Sequence, residues 1–445
     1  MKNPHPSPLR LALLAAAVCL TAASLSAQAP VQAPAAPGAA PAAGRGGGGG
    51  AGGRGGRGNA IASPEIGADR TITFRYSAPN AQVVRLTGEM GGKTPIDMTK
   101  DAAGVWTAKV GPLDPDIYTY AFNVDGVVAL DPRNPNTKYG YGNFGPVSVV
   151  QLPGDGPQFY DVKAVPHGEV RIVPYVSKTM GVARTVWIYT PPGYDKGKNY
   201  PVLYLMHGAG DIESGWTMIG RANNILDNLI AEKKAVPMVV VMPLGYTIQS
   251  FWTGPTKNAV TPPAAAPAAP AVPAAGTVAA APAAPAPGAG GPGGGQGGPA
   301  TLSLFGRDLL EDVLPLVEAN YKVSKKVDMR AIAGLSMGGG QTINIAFSRP
   351  ELFRYVGLMS PAAGGNFATQ YPNAVKDPAA INKQWKLLWM AVGKDDTLTG
   401  PGDKVFDEAL TKAGIKHEFI VGEGRHEWTV WRYHLRDLAP LLFKK

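Results

Sequence analysis

The segment Gly334-Leu335-Ser336-Met337-Gly338 holds a serine between glycines, with the apolar run Met329–Ala333 before it and the helical run Gln341–Phe347 after it. A strand that turns sharply into a helix lifts a serine hydroxyl above the end of a sheet, and flanking glycines make room for that turn. The helix start behind the serine aims backbone N–H groups, and the positive end of the helix dipole, at developing negative charge. A hydroxyl is a poor nucleophile until a neighbouring base takes its proton. The pattern therefore predicts acyl transfer, with a carboxylate and a histidine farther along the chain.

Three histidines follow Ser336: His417, His426 and His434. His417 opens an apolar run, at the end of the sheet away from the serine, and His434 sits inside a helical run. His426 follows Gly422-Glu423-Gly424-Arg425, a loop after the last apolar run, and is the expected base. The spacing from His426 to His434 is eight, so a zinc-binding His-Glu-x-x-His reading fails and no metal site is expected. For the acid, Leu387–Val392 ends in Gly393-Lys394-Asp395-Asp396. Either aspartate could accept the imidazole N–H and stabilise the imidazolium, with Asp396 preferred. An oxyanion needs two backbone donors. Met337, directly after the serine, supplies one. The run Val202–Met206 leads into His207-Gly208-Ala209-Gly210, so Ala209 or Gly208 supplies the other, with His207 a structural member of that loop.

These residues have to be carried by a sheet. From about Val170 onward, Thr185–Thr190, Val202–Met206, Met238–Met242, Met329–Ala333, Tyr355–Met359, Leu387–Val392 and Glu418–Val421 are short apolar runs. Between several of them lie segments of helical period, clearest at Leu304–Ala319, where Leu309, Leu310, Val313, Leu314 and Val317 share a face. Apolar strands separated by amphipathic helices predict a mostly parallel sheet covered on both sides. Right-handed crossovers place its functional loops at the strands' carboxyl ends. Residues 60–155 read differently. Ile72, Phe74 and Tyr76 alternate with polar residues, as do Tyr118, Tyr120, Phe122 and Val124, and Asp125-Gly126 suits a tight hairpin. Prolines recur at short spacing, so a small all-β sandwich is expected there. Trp106 or Tyr139 could offer a platform for a sugar ring, the alternative being that they pack.

Composition limits what surrounds these two regions. The 445 residues include 57 glycines and 42 prolines, concentrated in two tracts, 28–58 and 254–300. Neither tract can offset its own ordering entropy, so the first reads as a disordered linker and the second as a surface insertion in the larger domain. Three arginines in the first tract give it the look of an RGG segment, read here as a solvated spacer. Six basic residues of the formal +9 lie at the N-terminus and in the tracts, leaving roughly +3 for the rest. That balance predicts no nucleic-acid or membrane-surface partner. Residues 1–27 have a positive start, an apolar run from Leu11 to Leu20 and small residues to Ala27, the pattern of a secretory signal, and imply a secreted or periplasmic protein. The single cysteine, Cys19, lies inside that signal, so disulfides and cysteine-ligated metals are excluded from the remainder.

The stretches RTVWIYTPPGY (184–194), PVLYLMHGAGD (201–211), RAIAGLSMGG (330–339), GKDD (393–396) and GRHEWTVW (424–431) resemble the feruloyl esterase-like carbohydrate esterases of family 1, the esterase-D or putative-esterase group. The resemblance implies an α/β-hydrolase over residues 165–445 and a cofactor-free serine esterase. It implies Ser336, Asp396 and His426 as the triad, acting on an ester substrate such as an acylated polysaccharide or oligosaccharide. Members cleave feruloyl or acetyl groups from plant polysaccharide, and related branches act on siderophore esters. The run 105–135 resembles the early-set, carbohydrate-binding-module-48-like domains, which implies an immunoglobulin-like sandwich. Trp216, Phe251, Trp252 and Trp428 are candidates for an aromatic wall against the acyl group, or for packing.

Overall fold

Alternation of large apolar residues with polar ones builds ten short strands in the first part of the described chain. The computed structural model describes residues 62–90, 95–141, 145–248, 302–364 and 366–444. The expected signal 1–27, linker 28–58 and insertion 254–300, with Cys19, Phe251 and Trp252, lie outside them. The strands are β1 (Glu65–Ile66), β2 (Ile72–Ser77), β3 (Val84–Gly88), β4 (Ile96–Asp97), β5 (Thr99–Lys100), β6 (Val105–Val110), β7 (Ile117–Val124), β8 (Val127–Ala129), β9 (Thr137–Lys138) and β10 (Val147–Gln151). One sheet runs β1-β2-β6-β5 and the other β4-β3-β7-β10-β9, with β8 added to β7. Ile72, Phe74, Leu86, Tyr120 and Phe122 are fully buried between them, with the Phe74 and Tyr120 ring centroids 4.6 Å apart. Asp125 and Gly126 take φ of 48° and 92° to close the β7–β8 hairpin. Trp106 belongs to this core: it is 7% exposed and its Nε1 donates to the Ala78 carbonyl, so it offers no sugar platform. Tyr139 is exposed.

A run of Val, Ile and Leu with no polar alternation needs both faces covered, and the second part of the chain supplies that. Its strands are β11 (Glu169–Ser177), β12 (Val182–Thr190), β13 (Val202–Met206), β14 (Val239–Pro243), β15 (Arg330–Leu335), β16 (Tyr355–Met359), β17 (Leu387–Gly393) and β18 (Glu418–Gly422). They form one sheet in the order β11-β12-β14-β13-β15-β16-β17-β18. The first two are antiparallel additions, and from β14 to β18 every neighbour is parallel. Every residue of β13, β14, β15 and β16 is buried. Separate apolar clusters cover the two faces of the sheet: Phe305, Leu309, Val313, Phe347 and Phe406 lie in one, Trp216, Leu226, Trp389 and Leu435 in the other.

The run predicted as a helix from Leu304 is helical over 304–320, with a π turn at Asp308–Val313 in its middle. Leu309, Val313 and Val317 are fully buried as expected, while Leu310 and Leu314 are only half-buried against the same core. The wider turn sets Asp308 beside them on the buried side, where it accepts from Tyr175 Oη at 2.8 Å. No helix of the described residues is long and apolar enough to cross a membrane.

The sandwich packs on the larger sheet through buried polar groups. Arg432, fully buried, donates to Asp116 Oδ1 at 2.5 Å and to the Ile117 and Ile219 carbonyls. Asn228 donates to the Phe159 and Asp161 carbonyls at 2.9 Å, in the segment that joins the two parts. Buried donors aimed at specific carbonyls are costly to leave unpaired, which fixes one arrangement of the two parts.

Candidate active site

Strand β15 ends at Leu335, and the helix Met337–Ser348 starts two residues later. Ser336 bridges them with φ 49° and ψ −119°, a conformation that costs a non-glycine residue about 1–3 kcal/mol. Its N–H is held by the Met359 carbonyl at 2.9 Å and its own carbonyl by Gly340 N–H at 3.0 Å. The turn needs glycines because strand and helix nearly touch. A Cβ at Gly334 would lie 2.3 Å from the Gly338 carbonyl oxygen, and one at Gly338 would lie 2.4 Å from that of His207.

His426 follows β18 and Asp396 follows β17, both at the carboxyl edge of the sheet. His426 Nε2 is 2.8 Å from Ser336 Oγ, and His426 Nδ1 is 2.8 Å from Asp396 Oδ2. The Asp396 carboxylate, 3% exposed, also accepts from Thr399 Oγ1 and Thr399 N at 2.9 Å and from Leu398 N at 3.1 Å. Burial alone would raise its pKa. Hydrogen bonds from His426 and Thr399 outweigh that burial and lower it to about 2. Asp396 is thus an anion at neutral pH, and it fixes the proton of a neutral imidazole on Nδ1, leaving Nε2 as the acceptor facing the serine hydroxyl. Asp395 is exposed, its N–H bound to the Gly424 carbonyl, and takes no part. His417 pairs with Asp407, and His434 is buried in the helix Trp428–Leu438, so neither reaches the serine.

The loop after β13 lies against this centre. A Cβ at Gly208 would sit 3.2 Å from Ser336 Cβ and 2.5 Å from Leu335 Cδ1, so any larger residue would have to push the Leu335 side chain aside. Burial lowers the His207 pKa to about 4, keeping the ring neutral. Its Nε2 accepts from Gly245 N at 2.9 Å and its Nδ1 donates to the Gly208 carbonyl at 2.8 Å, so it braces the loop. Ala209 is exposed at the loop's tip, and Met337 begins the helix behind the serine. The arrangement can deprotonate a hydroxyl and offer backbone donors beside it, which is the equipment of acyl transfer.

Two of the aromatic candidates are corrected by the structure. Trp216 is fully buried with its Nε1 donating to the Met206 carbonyl, and Trp428 is 2% exposed, edge-on to Trp216 at 5.1 Å. They pack together and present no wall to an acyl group. Trp431 lies against the imidazole instead, edge-on at 4.9 Å from His426. Thr399, which orients Asp396, escaped the sequence reading. Its signal was its position three residues after the aspartate, where a side-chain turn closes. Behind it, burial raises the Asp403 carboxyl to about 6, against a hydrogen bond from Ala363 N–H. Among the described residues no cluster of side chains has the make-up of a metal site.

A model of the "Putative esterase" family matches residues 177–274 and 292–441, more than half of the chain. The chain belongs to the putative esterase family. A curated relative, the endo-1,4-beta-xylanase/feruloyl esterase of Xylanibacter ruminicola, is 33% identical over 389 residues, which are 86% of this chain and 46% of the relative. Endo-1,4-beta-xylanase Y of Acetivibrio thermocellus is 32% identical over 95 residues, 20% of this chain and 9% of that one. The chain thus spans about half the length of the first relative and a small part of the second. Among solved structures, the enterobactin esterase of Shigella flexneri is 17% identical, with a TM-score of 0.56 over 84% of this chain and 93% of that one. A ferulic acid esterase of Anaeromyces mucronatus is 22% identical, with a TM-score of 0.48 over 65% of this chain and 96% of that one.

Proposed function

We propose that this chain is a serine carboxylic-ester hydrolase of the feruloyl-esterase type that removes acyl groups from plant polysaccharide. The observation that carries the reading is one imidazole, His426, within 2.8 Å of both a strained serine hydroxyl and a buried carboxylate. His426 Nε2 takes the Ser336 proton as Oγ attacks the ester carbonyl. Asp396 stabilises the resulting imidazolium. The N–H groups of Met337 and of Ala209 or Gly208 hold the oxyanion, each such donor being worth about 2.7–4 kcal/mol in the transition state. The tetrahedral intermediate collapses, the alcohol leaves with the proton from His426, and an acyl group remains on Ser336. Water, deprotonated by the same imidazole, then releases the acid.

The family's name and the likeness to the Xylanibacter endo-1,4-beta-xylanase/feruloyl esterase support the acyl chemistry and the polysaccharide setting. The pattern of residues 1–27 supports export to the periplasm or the exterior. Acetylated xylan is a substrate of the same class. A siderophore ester is a second reading, favoured by the enterobactin esterase likeness, which extends over 84% of this chain. A non-catalytic glycan-binding role is the reading of a different class.

A fluorophosphonate probe distinguishes catalyst from binder, because it labels only an activated serine. Labelling of the wild type that is abolished in Ser336→Ala is expected, and an unlabelled wild type would leave glycan binding as the function. Among methyl ferulate, p-nitrophenyl acetate and a catecholate siderophore, turnover of methyl ferulate is expected. Turnover of the siderophore alone would overturn the plant-wall assignment.

A further inference from the structure

The sandwich reaches the loop beside the candidate active site. Lys138, at the end of β9, places its Nζ 2.5 Å from Asp211 Oδ1, the last residue of the His207–Asp211 loop. The pair is well shielded, with the Lys138 and Asp211 side chains 13% and 5% exposed. Three residues on, Tyr141 N–H donates to the Gly210 carbonyl at 3.0 Å, and the Tyr141 ring lies 4.3 Å from that of Tyr246. Tyr246 Oη in turn accepts from Gly210 N–H at 2.5 Å. Both peptide groups of Gly210 are therefore fixed, and the loop closes on itself through Asp211 N–H to the Gly208 carbonyl at 3.3 Å. Ala209 lies inside that closed turn. On the other flank, Glu89 Oε1 accepts from Trp428 N–H at 3.2 Å, at the start of the helix that follows His426.

We propose that Lys138 is a positioning residue for the oxyanion loop, and that the sandwich serves the reaction by holding that loop rather than by binding sugar. This rests on the esterase reading above. Burial raises the Asp211 pKa, and Lys138 is the largest influence opposing it. The lysine is thus the cation that holds the loop carboxylate in place at 2.5 Å. An oxyanion donor acts at about 2.7–3.1 Å from the developing charge, and displacement of a catalytic group by about 1 Å costs on the order of 100-fold in rate. A buried carboxylate left alone must take a proton or move towards water, and either change removes one of the ties on the turn that contains Ala209.

The test compares wild type, Lys138→Met, Lys138→Arg and the double variant Lys138→Met/Asp211→Asn in the full chain. Rates on p-nitrophenyl acetate are expressed per active site counted by fluorophosphonate titration, so that loss of folded protein does not register. For Lys138→Met we expect kcat per titrated site to fall roughly 10- to 100-fold with KM within about two-fold, since a misplaced oxyanion donor affects the transition state and not ground-state binding. Lys138→Arg is expected to retain most of kcat, and removal of both charges to recover most of what Lys138→Met loses. A Lys138→Met enzyme that titrates and turns over like wild type overturns this proposal alone, as does a loss confined to the number of titrated sites. A wild type that neither titrates nor hydrolyses any ester overturns the esterase reading and this proposal with it.

Discussion

Replacing Asp396 by asparagine changes one atom and reverses the proton logic of the site. In the wild type the carboxylate accepts from His426 Nδ1 and from Thr399 Oγ1, each within 2.9 Å, while Leu398 N–H and Thr399 N–H satisfy the other oxygen. An asparagine can keep its carbonyl towards the two backbone donors, and its NH2 must then face the imidazole. Nδ1 becomes the acceptor and the ring proton moves to Nε2, where it donates to Ser336 and cannot take its proton. The shift of Asp396 from 3.8 to about 2 corresponds to about 2 kcal/mol of preference for the charged form in the resting enzyme. Formation of the imidazolium adds a second charge at 2.8 Å, so the transition state loses more than the ground state does. We expect kcat on p-nitrophenyl acetate to fall by about 10³- to 10⁴-fold with KM little changed, and fluorophosphonate labelling to slow in parallel. The same pKa shift predicts an acid limit to stability. The Asp396 carboxyl binds its proton less readily when folded than unfolded, so its contribution is present above about pH 4 and is lost as pH falls towards 2. Urea titrations should show Asp396→Asn losing less stability than wild type over that interval. An asparagine variant that keeps a tenth of the wild-type kcat would refute the assignment of Asp396.

Two further perturbations test the framework around the site. His434 is 6% exposed, its Nδ1 has no partner among the described residues, and burial lowers its pKa to about 4. The unfolded chain binds that proton from about pH 6.5 downward and the folded chain only near 4, so stability falls with pH across this window, by about 2 kcal/mol at pH 5. His434→Leu should flatten the decline in thermal stability between pH 7 and pH 5, and an unchanged slope would remove His434 from the account. Arg184, fully buried, donates to the Leu244, Tyr246 and Ile248 carbonyls and to Tyr175 Oη, and its Nε lies 3.4 Å from Asp308. Arg184→Met strands the Asp308 carboxyl and three carbonyls of the loop after β14, and should cost about 3–5 kcal/mol in urea unfolding. A loss under about 1 kcal/mol would mean that the loop holds itself.

The larger sheet was legible because its central strands are buried on both faces and read as unbroken apolar runs. Val202–Met206 and Tyr355–Met359 begin and end where their residue types say they should. Strand β11 was not legible as a strand. It lies at the edge of the sheet, with Glu169, Ile172, Pro174 and Val176 exposed, so neither period stands out. The π turn at Asp308–Val313 is likewise invisible to a 3.6-residue count, because the buried polar tie of Asp308 to Tyr175, not an apolar stripe, accompanies it. Ser336, Asp396 and His426 could be picked out because each follows a strand's carboxyl end in a glycine-marked turn. Trp216 and Trp428 could not be sorted into wall or core by type, since an indole buries its apolar body equally well in either. Lys138 carried no signal at all: a lysine in a short polar strand looks solvated until the loop it meets is known.

The two parts of the chain divide the problem of holding a reactive geometry. The sheet fixes the three side chains, since β15, β17 and β18 are parallel and their carboxyl ends lie at one edge, with β16 between the first two. It cannot fix the backbone donors equally well. The loop after β13 comes close enough to Ser336 that a Cβ at Gly208 would lie 3.2 Å from the Ser336 Cβ, and a glycine-rich turn that close gains little from apolar burial. Hydrogen bonds supply the missing constraint: His207 from within the loop, Tyr246 from the loop after β14, and Tyr141 and Lys138 from the sandwich. Because the sandwich is itself fixed through Arg432 to Asp116, a change at that distant pair should reach the rate through the loop. Loosening the sandwich would then lower kcat before it unfolds the sheet.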